Sequence, residues 1–162
     1  MSPRADATAI RDILPICAQA LAASERVEAA AKQAVLRLVA PDGQVNPGLL
    51  EREQYAAHGL AWLATYVAAL RESLRWAERL EQAGRLRELE CLILQAAFGE
   101  YLQQILGGIP ISQTEMVRPA DLGVDADALT VFVADSSVKT LCRNGNSAAA
   151  RARIAELIAE GA

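Results

Sequence analysis

Histidine occurs once, at position 58, and that scarcity removes most of the chemistry a chain of 162 residues could carry. Any triad, metal–histidine site or imidazole acid–base scheme would have to use His58. Its neighbours one helical turn away, Gln54, Tyr55 and Trp62, include no carboxylate. His58 is therefore expected to be a packing residue, hydrogen-bonded to a neighbouring helix, rather than a catalytic one. Cysteine is also sparse: Cys17, Cys91 and Cys142 are odd in number, widely spaced and set among apolar residues. That pattern fits reduced, buried core thiols in the cytoplasm and gives neither a disulfide framework nor a metal-ligand spacing. Cations are outnumbered, with 16 Lys and Arg against 20 Asp and Glu, and no basic stripe offers a nucleic-acid footprint. Long apolar runs are missing too. The longest, from Leu60 to Leu70, has 11 residues against the ~20 needed to span a bilayer. The run from Ile13 to Ala23 has the texture of a signal-peptide core, but Asp6 and Asp12 offset Arg4 and Arg11, and the helical pattern continues past it. A cytoplasmic protein is expected, with no membrane partner. Glycine fingerprints, P-loops, nucleophile elbows and zinc-protease helices are likewise absent.

What the chain does have is alanine, 33 residues of it, within a sequence that is 52% hydrophobic and 22% charged. Short side chains with high helix propensity and few breakers define an all-α fold, an antiparallel helical bundle occupying residues 1–162 as a single domain. The 3.6-residue period marks three long helices, over about 7–39, 47–82 and 85–106. Pro15 lies inside the first and predicts either a kink or a helix that restarts near Leu14. Asn46 followed by Pro47 reads as an N-cap with proline in the first turn, Gly84 as the turn between the second and third helices, and Gly107-Gly108 with Pro110 as a stop. Residues 107–124 form a connector. Asp125, then Asp135 or Ser136, and Ser147 begin two or three short helices within 125–160.

The acidic residues do not form a centre. Bundle metal sites pair glutamates with Glu-x-x-His helices, yet Glu51 and Glu53 stand at the wrong distance from His58, and Gln103 follows Glu100 where a ligand would be needed. Glu72, Glu78, Glu81, Glu88 and Glu90 interleave with Arg71, Arg75, Arg79, Arg85 and Arg87, the pattern of a solvated, ion-paired surface. No catalytic, cofactor-binding or metal-binding residue is assigned. The candidate site is a docking surface: Gly59, Trp62 and Tyr66 of the second helix with Gly99 and Gln103 of the third. Glycine inside a helix costs about 1 kcal/mol relative to alanine, so Gly59 and Gly99 imply close approach of another element, either a partner or a neighbour within the bundle.

Two segments carry a resemblance. His58-Gly59-Leu60-Ala61-Trp62-Leu63-Ala64-Thr65-Tyr66-Val67 and the stretch from Phe98 through Gly107-Gly108 to Gln113 resemble the helical N-terminal extension of a flavin-dependent member of the acyl-CoA dehydrogenase family. The similarity extends from the Ile10 to Cys17 opening to Arg118-Pro119-Ala120-Asp121-Leu122-Gly123 and is weakest after Val124. In that family a helical domain carries Gln-x-x-Gly-Gly-x-Gly followed by an aromatic, a loop that meets the flavin of a partner subunit. Gln104-Ile105-Leu106-Gly107-Gly108 follows the pattern, but Pro110 stands in place of the third glycine and Ile111 in place of the aromatic. The resemblance thus implies a non-catalytic helical domain with no cofactor of its own. Its parent would hold FAD, and the domain would pack on acyl-CoA dehydrogenase catalytic domains or a sister subunit, with a homo-oligomer possible. The competing readings are a free-standing interaction module that dimerises through Ala/Gly-rich helix faces, and an enzyme built on His58.

Overall fold

A computed structural model describes residues 8–161. It contains α1 (Ile13–Val39), α2 (Pro47–Arg52), α3 (Gln54–Gln82), α4 (Glu88–Gly107), α5 (Ala126–Ala134), α6 (Ser136–Asn144) and α7 (Ala148–Ala159). The fold is essentially all-α. The connector expected to be irregular carries a small antiparallel pair, β1 (Ile109–Pro110) with β2 (Met116–Val117), and a 3-10 turn over Pro119–Leu122. The pairing exists because Gly107-Gly108 halts α4 and the chain doubles back at once: Ile109 faces Val117, and the Ile111 and Ser112 amides donate to the Glu115 carbonyl.

The first long helix begins later than periodicity suggests. Its expected first residue, Ala7, lies outside the described residues. The stretch before Ile13 is not helical because its backbone is engaged elsewhere: the Ile10 amide donates to Gln95 Oε1 at 2.8 Å and the Thr8 carbonyl accepts from Gln95 Nε2 at 3.0 Å. Pro15 consequently sits in the first turn, where an amide has no intrahelical acceptor to lose. The second expected helix is two. At Glu53 (φ −101°, ψ 27°) the chain breaks between α2 and α3. None of α2 is buried, and Tyr55, just past the break, donates its hydroxyl to the Met116 carbonyl at 2.7 Å. The hairpin turn is a Schellman closure, with Gly84 at φ +65° and the Gly84 and Arg85 amides donating to the Glu81 and Leu80 carbonyls. α4 starts at Glu88 rather than 85, where Glu88 and Glu90 face the helix N-terminus and Glu90 Oε2 accepts from the Arg87 amide.

Three short helices follow, each capped by a side chain named from sequence. Asp125 accepts from the Ala128 amide, Asp135 from those of Ser137 and Val138, and Ser147 from that of Ala150. α1 packs on α3, α5 and α6, while α4 lies beside α3 and carries α6 and α7. Leu63, Leu70, Phe98, Leu102, Ile105, Phe132 and Leu141 fill the centre, and Leu92, Ala150 and Leu157 form a satellite between α4 and α7. Among the described residues no helix is long and apolar enough to cross a membrane.

α7 is also fixed from outside. Arg153 donates through Nε and Nη2 to the two oxygens of Glu88 at 2.9 and 3.0 Å, a forked pair between α7 and the start of α4. Hydrogen bonding to the guanidinium holds the Glu88 carboxyl below its ordinary value. Because the folded pKa lies below the unfolded one, the contribution of this pair is present above the unfolded pKa, about 4.3, and is lost as pH falls through the folded value. The difference in melting temperature between wild type and Arg153→Gln is therefore expected to narrow as pH is lowered from about 7 to about 3. A gap that stays constant across that range would show that Arg153 acts by packing alone.

Candidate functional site

The five docking residues divide by what they touch. Gly59 is buried under the connector: a Cβ there would lie 2.6 Å from Val117 Cγ2 and 2.9 Å from Leu122 Cδ2. Gly99 is buried against the α6–α7 turn, where a Cβ would come within 2.6 Å of the Asn146 amide nitrogen, 2.8 Å of the Leu141 carbonyl oxygen and 3.0 Å of Gly145 Cα. Both close approaches are made within the chain, and by different neighbours. Tyr66 is buried, stacks edge-on against Tyr101 at 4.9 Å between centroids and donates its hydroxyl to Gln104 Oε1. Burial first, then Tyr101 and Glu100, push the Tyr66 phenol above its ordinary pKa. Gln103 Nε2 donates to the Cys142 carbonyl. Gln103 is exposed nonetheless, and Trp62 is half-buried, donating its indole N–H to His58 Nε2 at 2.9 Å.

Sequence expectation for His58 needs correcting on one point. The imidazole is exposed and its partner is Trp62 of the same helix, one turn on, rather than a neighbouring helix. The pair borders an open depression with Ala61 and Thr65. Its one hydroxyl, on Thr65, donates to the Ala61 carbonyl at 2.8 Å rather than to His58, and no carboxylate or second imidazole lines it, so the depression holds no acid–base or nucleophilic constellation.

A polar network centred on the exposed Glu100 has no counterpart among the expectations from sequence. Gln104 Nε2 donates to Glu100 Oε1, and Asn146 Nδ2 donates to Glu100 Oε2, each at 3.3 Å. Together with the Tyr66 bond this joins α3, α4 and the α6–α7 turn. Gln95, fully buried, joins α4 to the segment before α1 and lies 3.5 Å from the Gly145 carbonyl. The only sequence signal for Gln95 is a lone amide within Cys91-Leu92-Ile93-Leu94-Gln95-Ala96-Ala97-Phe98, an otherwise apolar run. Every buried side-chain nitrogen and oxygen among the described residues has a partner. None is left waiting for a ligand.

The Gly-Gly segment does not fit a flavin. Gly108 (φ +130°) faces Met116, whose Cε would lie 3.0 Å from an added Cβ, and the Gly107 carbonyl accepts from Arg118 Nε at 3.1 Å. Pro110 lies in β1 and brings no amide to that edge. The two glycines serve as a helix stop closed over by β2 and the residue after it. Two depressions beside α5 measure about 150 and 190 Å³, below the roughly 300–1,000 Å³ of ordinary ligand pockets; a third, about 350 Å³ between Val133 and Lys139, is a shallow hollow open to solvent. No group of three or more possible metal ligands occurs among the described residues.

The cysteines are free; Cys17 is buried, whereas Cys91 and Cys142 are half-buried rather than fully in the core. Burial is the leading cause that raises all three thiols, with nearby Cys91 adding to it for Cys17, and Glu90 and Glu81 for Cys91. Thiolate is thus scarce near neutral pH. With an Ellman-type reagent on the native protein, Cys17 is expected to react only on unfolding and after the other two. Prompt labelling of Cys17 in the folded chain would contradict the packing of α1.

The described residues form a helical bundle tied together by polar bonds within the chain. No known protein-family profile matches the chain. It is similar to a segment of a (2S)-methylsuccinyl-CoA dehydrogenase from Cereibacter sphaeroides, with 47% identity over 147 residues. That match takes in 91% of this chain but 26% of the relative, so the chain spans about a quarter of the length of the curated relative it matches. The match agrees with the resemblance to a dehydrogenase carried by the segments around Gly59 and Gly99.

Proposed function

We propose that the chain is a non-catalytic helical domain of an acyl-CoA dehydrogenase-like, methylsuccinyl-CoA dehydrogenase-like flavoprotein, packing on the catalytic body or a sister subunit in the cytoplasm. The observation that carries this reading is the match itself: 47% identity along nearly the whole chain to one quarter of a longer dehydrogenase. The internal use of Gly59, Tyr66, Gly99 and Gln103 is consistent with it, because a domain that only packs needs a rigid bundle. Of the docking residues expected from sequence, Trp62 and Gln103 keep surface open to a partner, although each is already hydrogen-bonded within the chain. FAD belongs to the parent protein in this reading. The test is to purify the chain alone and assay it with methylsuccinyl-CoA, an electron acceptor and added FAD. A colourless protein without turnover is expected. Turnover with stoichiometric bound flavin would overturn the proposal.

A further inference from the structure

α5 is out of balance with its setting. Of its nine residues only Asp127 and Thr130 are polar, yet only Phe132 is buried; Val131 and Val133 are 61% and 49% exposed. A helix this short, with β-branched residues of modest helix propensity, needs tertiary packing to persist. A helix apolar on all sides is ordinarily covered on all sides. The exposed residues border grooves. Leu129 and Val133 meet Leu106, Pro119 and Ala120 on one side, while Val131 meets Ala23 and Val27 of α1 on the other.

Charge narrows the choice of occupant. Each depression around α5 has one cation among its lining residues and no carboxylate: Arg118 and Arg26 in the two grooves, Lys139 beside Val133. Arg118 already pairs with Asp121 at 4.0 Å. Arg26 and Lys139 are exposed and form no ion pair among the described residues. The carboxylates of α5 lie at its ends: Asp125 and Asp135 are engaged as caps, leaving Asp127 one turn before Val131. With two unpaired cations, Arg26 and Lys139, against the single uncapped carboxylate Asp127, the face carries an excess of positive charge that a second copy would double rather than neutralise. An apolar ridge flanked by carboxylates is what it fits.

We infer that α5, with Leu106 and Pro119 beside it and Arg26 and Lys139 at its rim, is the face that docks on the catalytic body of the dehydrogenase. This rests on the function proposed above, and the relative supplies the occupant, because about three quarters of its length lies outside the match. The docking surface then lies on α5 and the end of α4 rather than at Trp62.

The experiment compares the free 162-residue chain with the whole Cereibacter enzyme in which this chain replaces the matched segment, its integrity scored by bound FAD. Hydrogen exchange is followed in α5 and in the segment around His58 and Trp62. Amides of α5 are expected to exchange at least about tenfold more slowly in the chimera, a factor worth about 1.4 kcal/mol. Val131→Glu with Val133→Glu, which removes apolar surface and places carboxylates beside Arg26 and Lys139, should return α5 to the free-chain rate while FAD is retained. Slowing at Trp62 but not at α5 would overturn the face and leave the proposed function standing. An FAD-loaded chimera with no slowing at either place, or one that cannot load FAD, would remove both. Slowing of α5 in the free chain as its concentration rises would make a second copy the occupant and overturn the inference.

Discussion

Gly99→Ala is expected to lower the stability of the chain by about 2 kcal/mol, although alanine in a helix interior normally gains about 1 kcal/mol over glycine. The reason is what the new methyl would meet. At position 99 the obstacles are backbone, the Asn146 nitrogen at 2.6 Å and the Leu141 carbonyl oxygen at 2.8 Å, and neither can rotate away. Gly145, across the contact, is as tightly held, with the Gln95 carbonyl oxygen at 2.3 Å from an added Cβ. Relief would require α6 and the start of α7 to shift off α4, loosening Leu141 and Ala150 from their buried places. For a chain of this size the loss corresponds to a fall in melting temperature of roughly 4–8 °C. Gly59→Ala provides the contrast. Its obstacles are the ends of the Val117 and Leu122 side chains, which can change rotamer, so a cost of about 1 kcal/mol or less is expected. Thermal melts of both variants check the order, with the oligomeric state measured alongside. Equal stability of Gly99→Ala and wild type would mean that the α4–α6 approach is looser than it looks.

That contrast also marks how far the sequence could be read. An unexplained glycine in a strong helix announces a close approach, and both positions proved to have one. What approaches cannot be read from helical spacing. Gly59 meets a connector that carries little periodicity, and Gly99 meets a turn more than 40 residues on. The caps at Asn46, Asp125, Asp135 and Ser147 were legible because capping depends on residues two or three apart. The break at Glu53 was not, since no glycine or proline marks it and the apolar pattern runs through it. The late start of α1 was hidden for a different reason: the residues that could extend it are held by a side chain 85 positions away. The two-residue β pairing is likewise a tertiary matter, produced by a chain reversal after a helix stop.

The residue that holds the start of α1 gives the largest expected effect. Gln95→Leu keeps the volume of the side chain and removes its amide, leaving the Ile10 N–H without its acceptor and the Gly145 carbonyl without its weak donor. Each unsatisfied buried group costs about 1–3 kcal/mol, so a loss of about 3 kcal/mol is expected if the segment stays in place. If instead the segment lifts into water, the loss is smaller and the Ile10 amide exchanges freely, a distinction that hydrogen exchange reads directly. Gln95→Glu separates hydrogen bonding from shape. Ionised, it would retain an acceptor for Ile10 but bury a charge and turn a second oxygen toward the Thr8 and Gly145 carbonyls, where wild type places a donor. The protonated acid can donate there. Burial and these two carbonyls therefore favour the neutral form and raise the folded pKa above the unfolded value of about 4.3. A group with a raised folded pKa contributes its stability fully below the unfolded pKa and loses it as pH rises through the folded one. Gln95→Glu is thus expected to approach wild-type stability near pH ~4 and to fall progressively below it toward neutrality, whereas the deficit of Gln95→Leu stays nearly constant with pH. Parallel pH profiles for the two variants would show that the amide at position 95 fills space rather than tying the start of α1 to the bundle.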